Sequence, residues 1–533
     1  MININKRFIL KVSMILLLFL LIGFWANAAD NNKIVIGVQN EPGTLDPHRL
    51  DSRMARKVMN LIFDQLIWIH PETLEFIPGL AESWEVSEDG LVVTFHLREG
   101  VKFHDGTPLT AEDFKYTYER VLDPATNATF IRTDIGPLER VEVVDELTFK
   151  LIYRGPYATA LYNAAIKDFT PINRNSVEAQ GEEFGTNPVG AGTGPYKFKN
   201  WEPGQYITVV RNEDYNWGPE FYENQGPPHI EEIEFRFIPE LEVQTMALLA
   251  EEIDSADYLP AKDVAALKAH PNIFLYEQHL PGMGLYSAFN VAKPPFDDPL
   301  VRKAASHAVD KQAIINVVKI GQATVGHGPF PFFWFGFNEK IEDYYGYDPE
   351  LTKKMLDEAG WKVDPDGIRQ KDGVRLEGDF MVRHRDDYIN TAQMIQEMFK
   401  KVGIGLEIQI LEWGALMEAI WNGKHHYTLM GHGGGDPESV IYSYFHSDNI
   451  GSWNLAQISD ENLDELIEKI RVTMDIEKRR KMLEEFQEIV MIEKALWLPI
   501  YNDIEYDPVN TRIQGTKFHP FMWILPNDAR IVE

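Results

Sequence analysis

The sequence predicts a mixed α/β protein built from more than one packed unit. Strand-type and helix-type hydrophobic patterns alternate along the chain, which is 533 residues long and carries no internal repeat or low-complexity linker. Interleaved strands and helices pack as mixed α/β layers, and this length exceeds what one hydrophobic core holds.

The N-terminal segment precedes that pattern. Lys6, Arg7 and Lys11 lead into an apolar run over 12–25 and then Ala26-Asn27-Ala28, the order of a cleavable secretory signal over 1–28 with Ala29 as the first mature residue. As a helix the run would reach about 21 Å, short of the ~30 Å hydrocarbon core, so an uncleaved anchor is the less favoured alternative. No cysteine follows to carry a lipid. The mature chain is expected to be periplasmic and free, with no stable membrane insertion.

The first strand is read at Lys33 to Val38, a buried run. Leu91, Val93, Phe95 and Leu97 alternate with less apolar residues after an Asp89-Gly90 turn, a period-2 strand. Thr110 stands three residues before Asp113, an N-cap signature, and Phe114, Tyr118, Val121 and Leu122 share one face of the helix that follows. Residues 142–144 and 147–151 form a hairpin about Asp145-Glu146. Ile233, Phe235 and Phe237 alternate until Pro239 stops them.

In the second half, Asp348-Pro349 caps a helix that ends at Gly360. A helix over about 390–402 ends at Gly403 and feeds a strand with Ile404, Leu406, Ile408 and Ile410 on one face. Charged amphipathic helices fill 460–474 and 476–494, and 496–501 reads as a last strand.

Composition narrows the function. The absence of cysteine excludes disulfides, thiolate metal sites and cysteine nucleophiles. A formal charge of −31 repels phosphate backbones and anionic headgroups, so nucleic acid is not an expected partner. Most of that charge reads as a solvated surface. No G-x-S-x-G, H-E-x-x-H, G-x-x-x-x-G-K or G-x-G-x-x-G pattern occurs, so no catalytic residue and no cofactor is expected, and a secreted hydrolase is the rival from another class.

The stretch over 78–124, PGLAESWEVSEDGLVVTFHLREGVKFHDGTPLTAEDFKYTYERVLDP, resembles the signature of family 5 extracellular solute-binding proteins. That family includes the dipeptide, oligopeptide and nickel receptors of ABC importers. In the family's order, NEPGTLDPH (40–48), NPVGAGTGPYKFKNW (187–201), FNVAKPPFDDPLVRKAASHAVDKQAI (289–314), YDPELTKKMLDEAGW (347–361) and LWLPIYN (496–502) are similar as well.

The resemblance implies a two-lobed periplasmic-binding-protein fold with a hinge and an extra subdomain on the first lobe. Lobe I is then expected at 29–70, 190–285 and 500–533, the subdomain at 71–189 and lobe II at 286–499. It also implies a non-enzymatic, monomeric receptor that closes on a solute between the lobes and presents it to an ABC permease and ATPase complex. Use of the fold as a sensor or chaperone is the alternative role.

In peptide-binding members an Asp four residues before a Pro anchors the ligand's ammonium group. Here the matching segment is MGHGGGDP (430–437), and Gly433 occupies that position. Asp436 is both a candidate substitute and a candidate helix cap. Position in the family pattern gives Asn40, Glu41, Trp413, His432, Gly433, Gly435, Asp436 and Trp453 as ligand contacts, with Tyr286 and Asn290 near the lobe crossing.

A di- or oligopeptide is the expected ligand. The aromatic run of Phe330, Phe332, Phe333, Trp334, Phe335 and Phe337, read as partly lining the cleft, keeps an oligosaccharide or other non-peptide solute as the alternative. His425-His426 invites a nickel reading, but neighbours on a strand point to opposite faces, so no metal site is expected.

Overall fold

A computed structural model describes residues 32–49, 52–73, 75–128, 131–166, 169–257, 259–280, 282–342, 344–433, 437–519 and 523–532. The signal expected over 1–28 lies outside them. Among the described residues no helix is long and apolar enough to cross a membrane.

The chain opens on strand β1 (Lys33–Val38) and helix α1 (Arg53–Ile62). Next come β2 (Ala81–Val86), β3 (Val92–Leu97), helix α2 (Ala111–Leu122), β4 (Leu138–Asp145) and β5 (Thr148–Tyr153). These four strands form a separate antiparallel sheet in the order β2-β3-β5-β4. Val93, Phe95 and Leu97 of β3 are buried, as their alternation requires. The capping box of Thr110 and Asp113 starts α2, which lays Phe114, Tyr118 and Val121 on this sheet. Leu122, expected on the same face, closes the helix exposed.

Phe149 stacks between Phe95 (5.3 Å) and Phe114 (4.8 Å) at the centre of a core that runs from Leu66 to Trp217. A buried ion pair ties this unit to β1's neighbourhood: Arg120 of α2 forks onto Asp46 at 2.6 and 2.9 Å.

The main sheet has twelve strands. After the subdomain come β6 (Tyr196–Glu202), β7 (Tyr206–Arg211), β8 (Glu232–Phe237), β9 (Ser255–Ala256) and β10 (Ile273–His279). Then follow β11 (Gly282–Phe289), α3 (Lys311–Val318), β12 (Ala323–Val325), β13 (Glu377–Arg383), α4 (Asp386–Lys401) and β14 (Gly405–Leu411). The last elements are α5 (Trp413–Trp421), β15 (Tyr427–Gly433), α6 (Pro437–Phe445), α7 (Glu461–Val472), α8 (Ile476–Gln487) and β16 (Trp497–Asn510).

Spatially the strands run β14-β13-β15-β11-β16-β9-β1-β8-β7-β6, with β10 and β12 also on β16. β1 is parallel to β8 and β9, while β13 is parallel to β14 and β15. Two lobes result. One core lies about β1, α1 and β6–β8, and two others cover the opposite faces of the β11–β13–β15 region.

Among the described residues, the strands on either side of two stretches carry the sheet from one lobe to the other. One is the short link from β10 to β11. The other is β16, whose first half pairs β11 and β12 and whose second half pairs β10 and β9. The last strand is therefore much longer than the 496–501 read from the sequence. At the first crossing Gly284 has φ +61°, and a Cβ there would stand 2.3 Å from the Tyr501 carbonyl oxygen. Only glycine fits that bulge.

Candidate functional site

Ligands of open α/β sheets sit outside the carboxyl ends of parallel strands. In lobe I those ends are Val38, Phe237 and Ala256; in lobe II they are Arg383, Leu411 and Gly433. The crossing strands bring the two sets to one cleft.

On the lobe I side the chain leaves β1 through Asn40 and Glu41, both exposed. The Glu41 carboxylate accepts from the Trp201 indole (2.7 Å) and the Gly204 amide (3.1 Å), which braces the β6–β7 turn at the rim.

The cleft floor is charged. Asp503, Glu505 and Asp507 alternate along β16, so the pleat turns them to one face. Lys319, just past α3 in lobe II, pairs with Asp503 at 2.5 Å. Arg53 opens α1 and forks onto Glu505 at 3.2 and 2.8 Å. Lys57, one turn on and buried, pairs with Asp257 and lies 4.0 Å from Asp507. Gln278 of β10 donates to Asp507. Burial pushes the Asp507 carboxyl up to about 7; Lys57 opposes the shift, while Asp257 and Glu505 add to it.

On the lobe II side Arg383 ends β13 and lies 5.0 Å over the ring of Trp413, the first residue of α5. Such a pairing is a cation–π contact. Trp413 is 40% exposed. The neighbouring side chains are paired: His384 with Glu412 at 2.6 Å, and Arg385 with Asp387 at 2.5 Å. Arg383 has no carboxylate partner among the described residues.

The ladder of β15 runs to the crossing, His432 facing Gly284 and Gly433 facing Gly282. Gly435 and Asp436, and the side chain of His432, lie outside the described residues.

Three sequence candidates are placed elsewhere. Asn290 stands at the far end of β11, about 25 Å along the strand from Gly282 at ~3.3 Å per residue. Its amide donates to the carbonyls of His425 (2.9 Å) and Gly423 (3.2 Å). Tyr286 is buried in mid-strand, stacked 3.8 Å from Trp497 and edge-on to Tyr444. Trp453 packs on Trp421 at the end of α5, about 12 Å from its cleft end. All three serve the core of lobe II.

The adjacent histidines diverge. His425 meets the Leu455 carbonyl at 2.8 Å, and His426 meets Asp379 at 3.2 Å. Of the aromatic run, Phe330 and Trp334 are buried, and Phe332 is 43% exposed. Phe332 and Phe333 flank His279 at the crossing, at 5.0 and 5.7 Å.

Sequence reasoning missed Arg383, Arg53, Lys57, Asp257 and the three carboxylates of β16. The alternation of Asp503, Ile504, Glu505, Tyr506 and Asp507 was the available signal for the last three.

Fold and cleft together define a two-lobed solute-binding protein. Residues 75–452 match the bacterial extracellular solute-binding proteins, family 5 middle segment, and the chain belongs to that family. It is 29% identical over 527 residues to heme-binding protein A of Haemophilus influenzae, covering 93% of this chain and 92% of that one. It is 30% identical over 490 residues to the dipeptide-binding protein of Escherichia coli, covering 86% and 87%.

Among solved structures, HbpA2 from Haemophilus parasuis superposes with a TM-score of 0.84 at 27% identity, covering 94% of this chain and all of that one. The unliganded open form of the murein tripeptide-binding protein MppA gives 0.81 at 22% identity, covering 95% and 98%.

Proposed function

We propose that the protein is the exported, periplasmic receptor of an ABC importer, taking a small peptide or similar carboxylate-bearing solute between its lobes and delivering it to the permease. The observation that carries this reading is Arg383: a guanidinium at a strand carboxyl end, held over the ring of Trp413, with its fork free of carboxylate among the described residues. In a chain of net charge −31 an arginine with no ion pair among the described residues is suited to an anionic group from outside. The dipeptide-binding name of a relative supports a peptide carboxylate as that group. Gly433 supports recognition that leans on the carboxylate more than on the ammonium.

Calorimetric titration with Met-Leu, N-acetyl-Met-Leu and Met-Leu amide tests it. The two free acids are expected to bind, and the amide at least about tenfold more weakly, the worth of one charged hydrogen bond. Equal binding of the amide overturns the carboxylate anchor. The oligosaccharide alternative loses support because the half-buried Trp453 packs on Trp421 against the core of lobe II, and one face of Trp413 is taken by Arg383.

A second reading is a tetrapyrrole, favoured by His279. Its buried Nδ1 has no hydrogen-bond partner among the described residues, burial lowers its pKa and so favours the neutral ring, and two phenylalanine rings flank it. One relative is named for heme binding. A hemin titration that leaves the Soret band unchanged removes this reading.

A further inference from the structure

Besides the crossing strands, a contact remote from them joins the extra subdomain to lobe II. The Ser87–Leu91 turn between β2 and β3 packs its Gly90, at φ +68°, on Met474 just past α7. A Cβ on Gly90 would stand 2.6 Å from Met474 Cγ, so the backbone of the turn lies directly on that side chain. Beside it the Ala158 amide donates to the Arg471 carbonyl at 3.3 Å.

Arg471 does more than close α7. Its guanidinium pairs with Glu438 at 2.7 Å and with Glu468 at 3.1 Å, and lies 4.0 Å over the Tyr442 ring. Glu438 and Tyr442 belong to α6, the helix that follows β15 out of the cleft. The contact with the subdomain is thereby linked, through one side chain, to the helix nearest the ligand loop.

We propose that the extra subdomain is a fulcrum of closure: lobe II turns on the Gly90–Met474 and Ala158–Arg471 contact, which stays made in both the open and the closed states. The contact exists while both cleft rims, at Glu41 and Trp413, stand exposed, so burial of the rims is not what makes it. A flexible methionine against a bare glycine backbone, beside one hydrogen bond, rolls without losing its packing. Arg471 then carries the position of α6 to that bearing. This deepens the receptor reading, since closure on a solute is what the fulcrum guides.

The absence of native cysteine allows a clean test. In the double variant Gly90→Cys, Met474→Cys the two β-carbons lie within disulfide range. The oxidised variant is expected to bind Met-Leu within about twofold of its reduced form and to contract equally in small-angle scattering. A tenfold loss of affinity, or loss of contraction on oxidation alone, makes the contact a latch and overturns the fulcrum. Failure of the disulfide to form overturns it too.

A ligand-free arm stands apart from the identity of the solute. In the wild-type chain the Ala158 amide is expected to exchange with solvent at least about a hundredfold more slowly than an unprotected amide. Unprotected exchange there overturns the proposal. Wild-type protein that ignores Met-Leu while Ala158 is protected counts against the peptide reading and leaves the fulcrum standing.

Discussion

Replacing Asp507 by Asn reports on the charged floor of the cleft. The carboxyl is buried, its pKa stands at about 7, and an unfolded aspartate titrates at the model value of 3.8. A folded pKa above the unfolded one means that this group's stability is complete at low pH. It is lost as pH rises from about 4 towards 7, at about 1.4 kcal/mol per pH unit, and is flat beyond. Between pH 5 and pH 8 the wild type therefore loses roughly 2–3 kcal/mol through Asp507.

In Asp507→Asn the new side-chain amide oxygen still accepts from Gln278, and Lys57 still has Asp257, so the variant keeps its contacts without the charge. Urea unfolding at pH 5 and pH 8 is the assay. The variant should gain roughly 2–3 kcal/mol on the wild type between the two pH values. An equal difference at both refutes the assignment of a raised pKa to a buried, crowded Asp507.

Other outcomes follow from single contacts. Arg383→Met should weaken binding of Met-Leu by about tenfold or more in the same calorimetric titration, with the melting temperature nearly unchanged. Arg120→Met should cost about 3–5 kcal/mol, because Asp46, 2% exposed, is left charged and unpaired; chemical denaturation measures it. Phe149→Ala should cost about 3–5 kcal/mol and lower the melting temperature of the subdomain first, since it empties the space between Phe95 and Phe114. Gly284→Ala should lower the melting temperature and change the radius of gyration of the free protein, because its Cβ meets the Tyr501 carbonyl at the crossing.

Elements with a buried face and a capped end were legible in the sequence. β1 and α2 stand where their patterns put them, and the helix Pro349–Glu358 begins on Asp348, whose side chain accepts from the Leu351 amide. Helix α4 begins at Asp386, earlier than the expected 390, because its first turn opens on two acidic residues and the buried face starts only at Tyr388.

The end of β16 was not legible. Its alternate positions carry carboxylates held by cations from other elements, and its Pro508 is usual for edges and turns. A strand whose polar face is buried against Arg53, Lys57 and Lys319 has the local composition of a loop. The site shared that difficulty. Family position found the rims, Asn40, Glu41 and Trp413, but Arg383 and the floor become visible only once strand ends from opposite halves of the chain meet.

The strand that joins both lobes is also made after every other strand of their common sheet. Until β16 leaves the ribosome, the sheet of lobe I lacks the neighbour of β9 and β10, and that of lobe II lacks the neighbour of β11 and β12. Neither lobe can complete its sheet before that strand is made. A polypeptide proposed to pass a membrane as an extended thread is thus kept from finishing its fold on the wrong side, by the order in which its residues are joined.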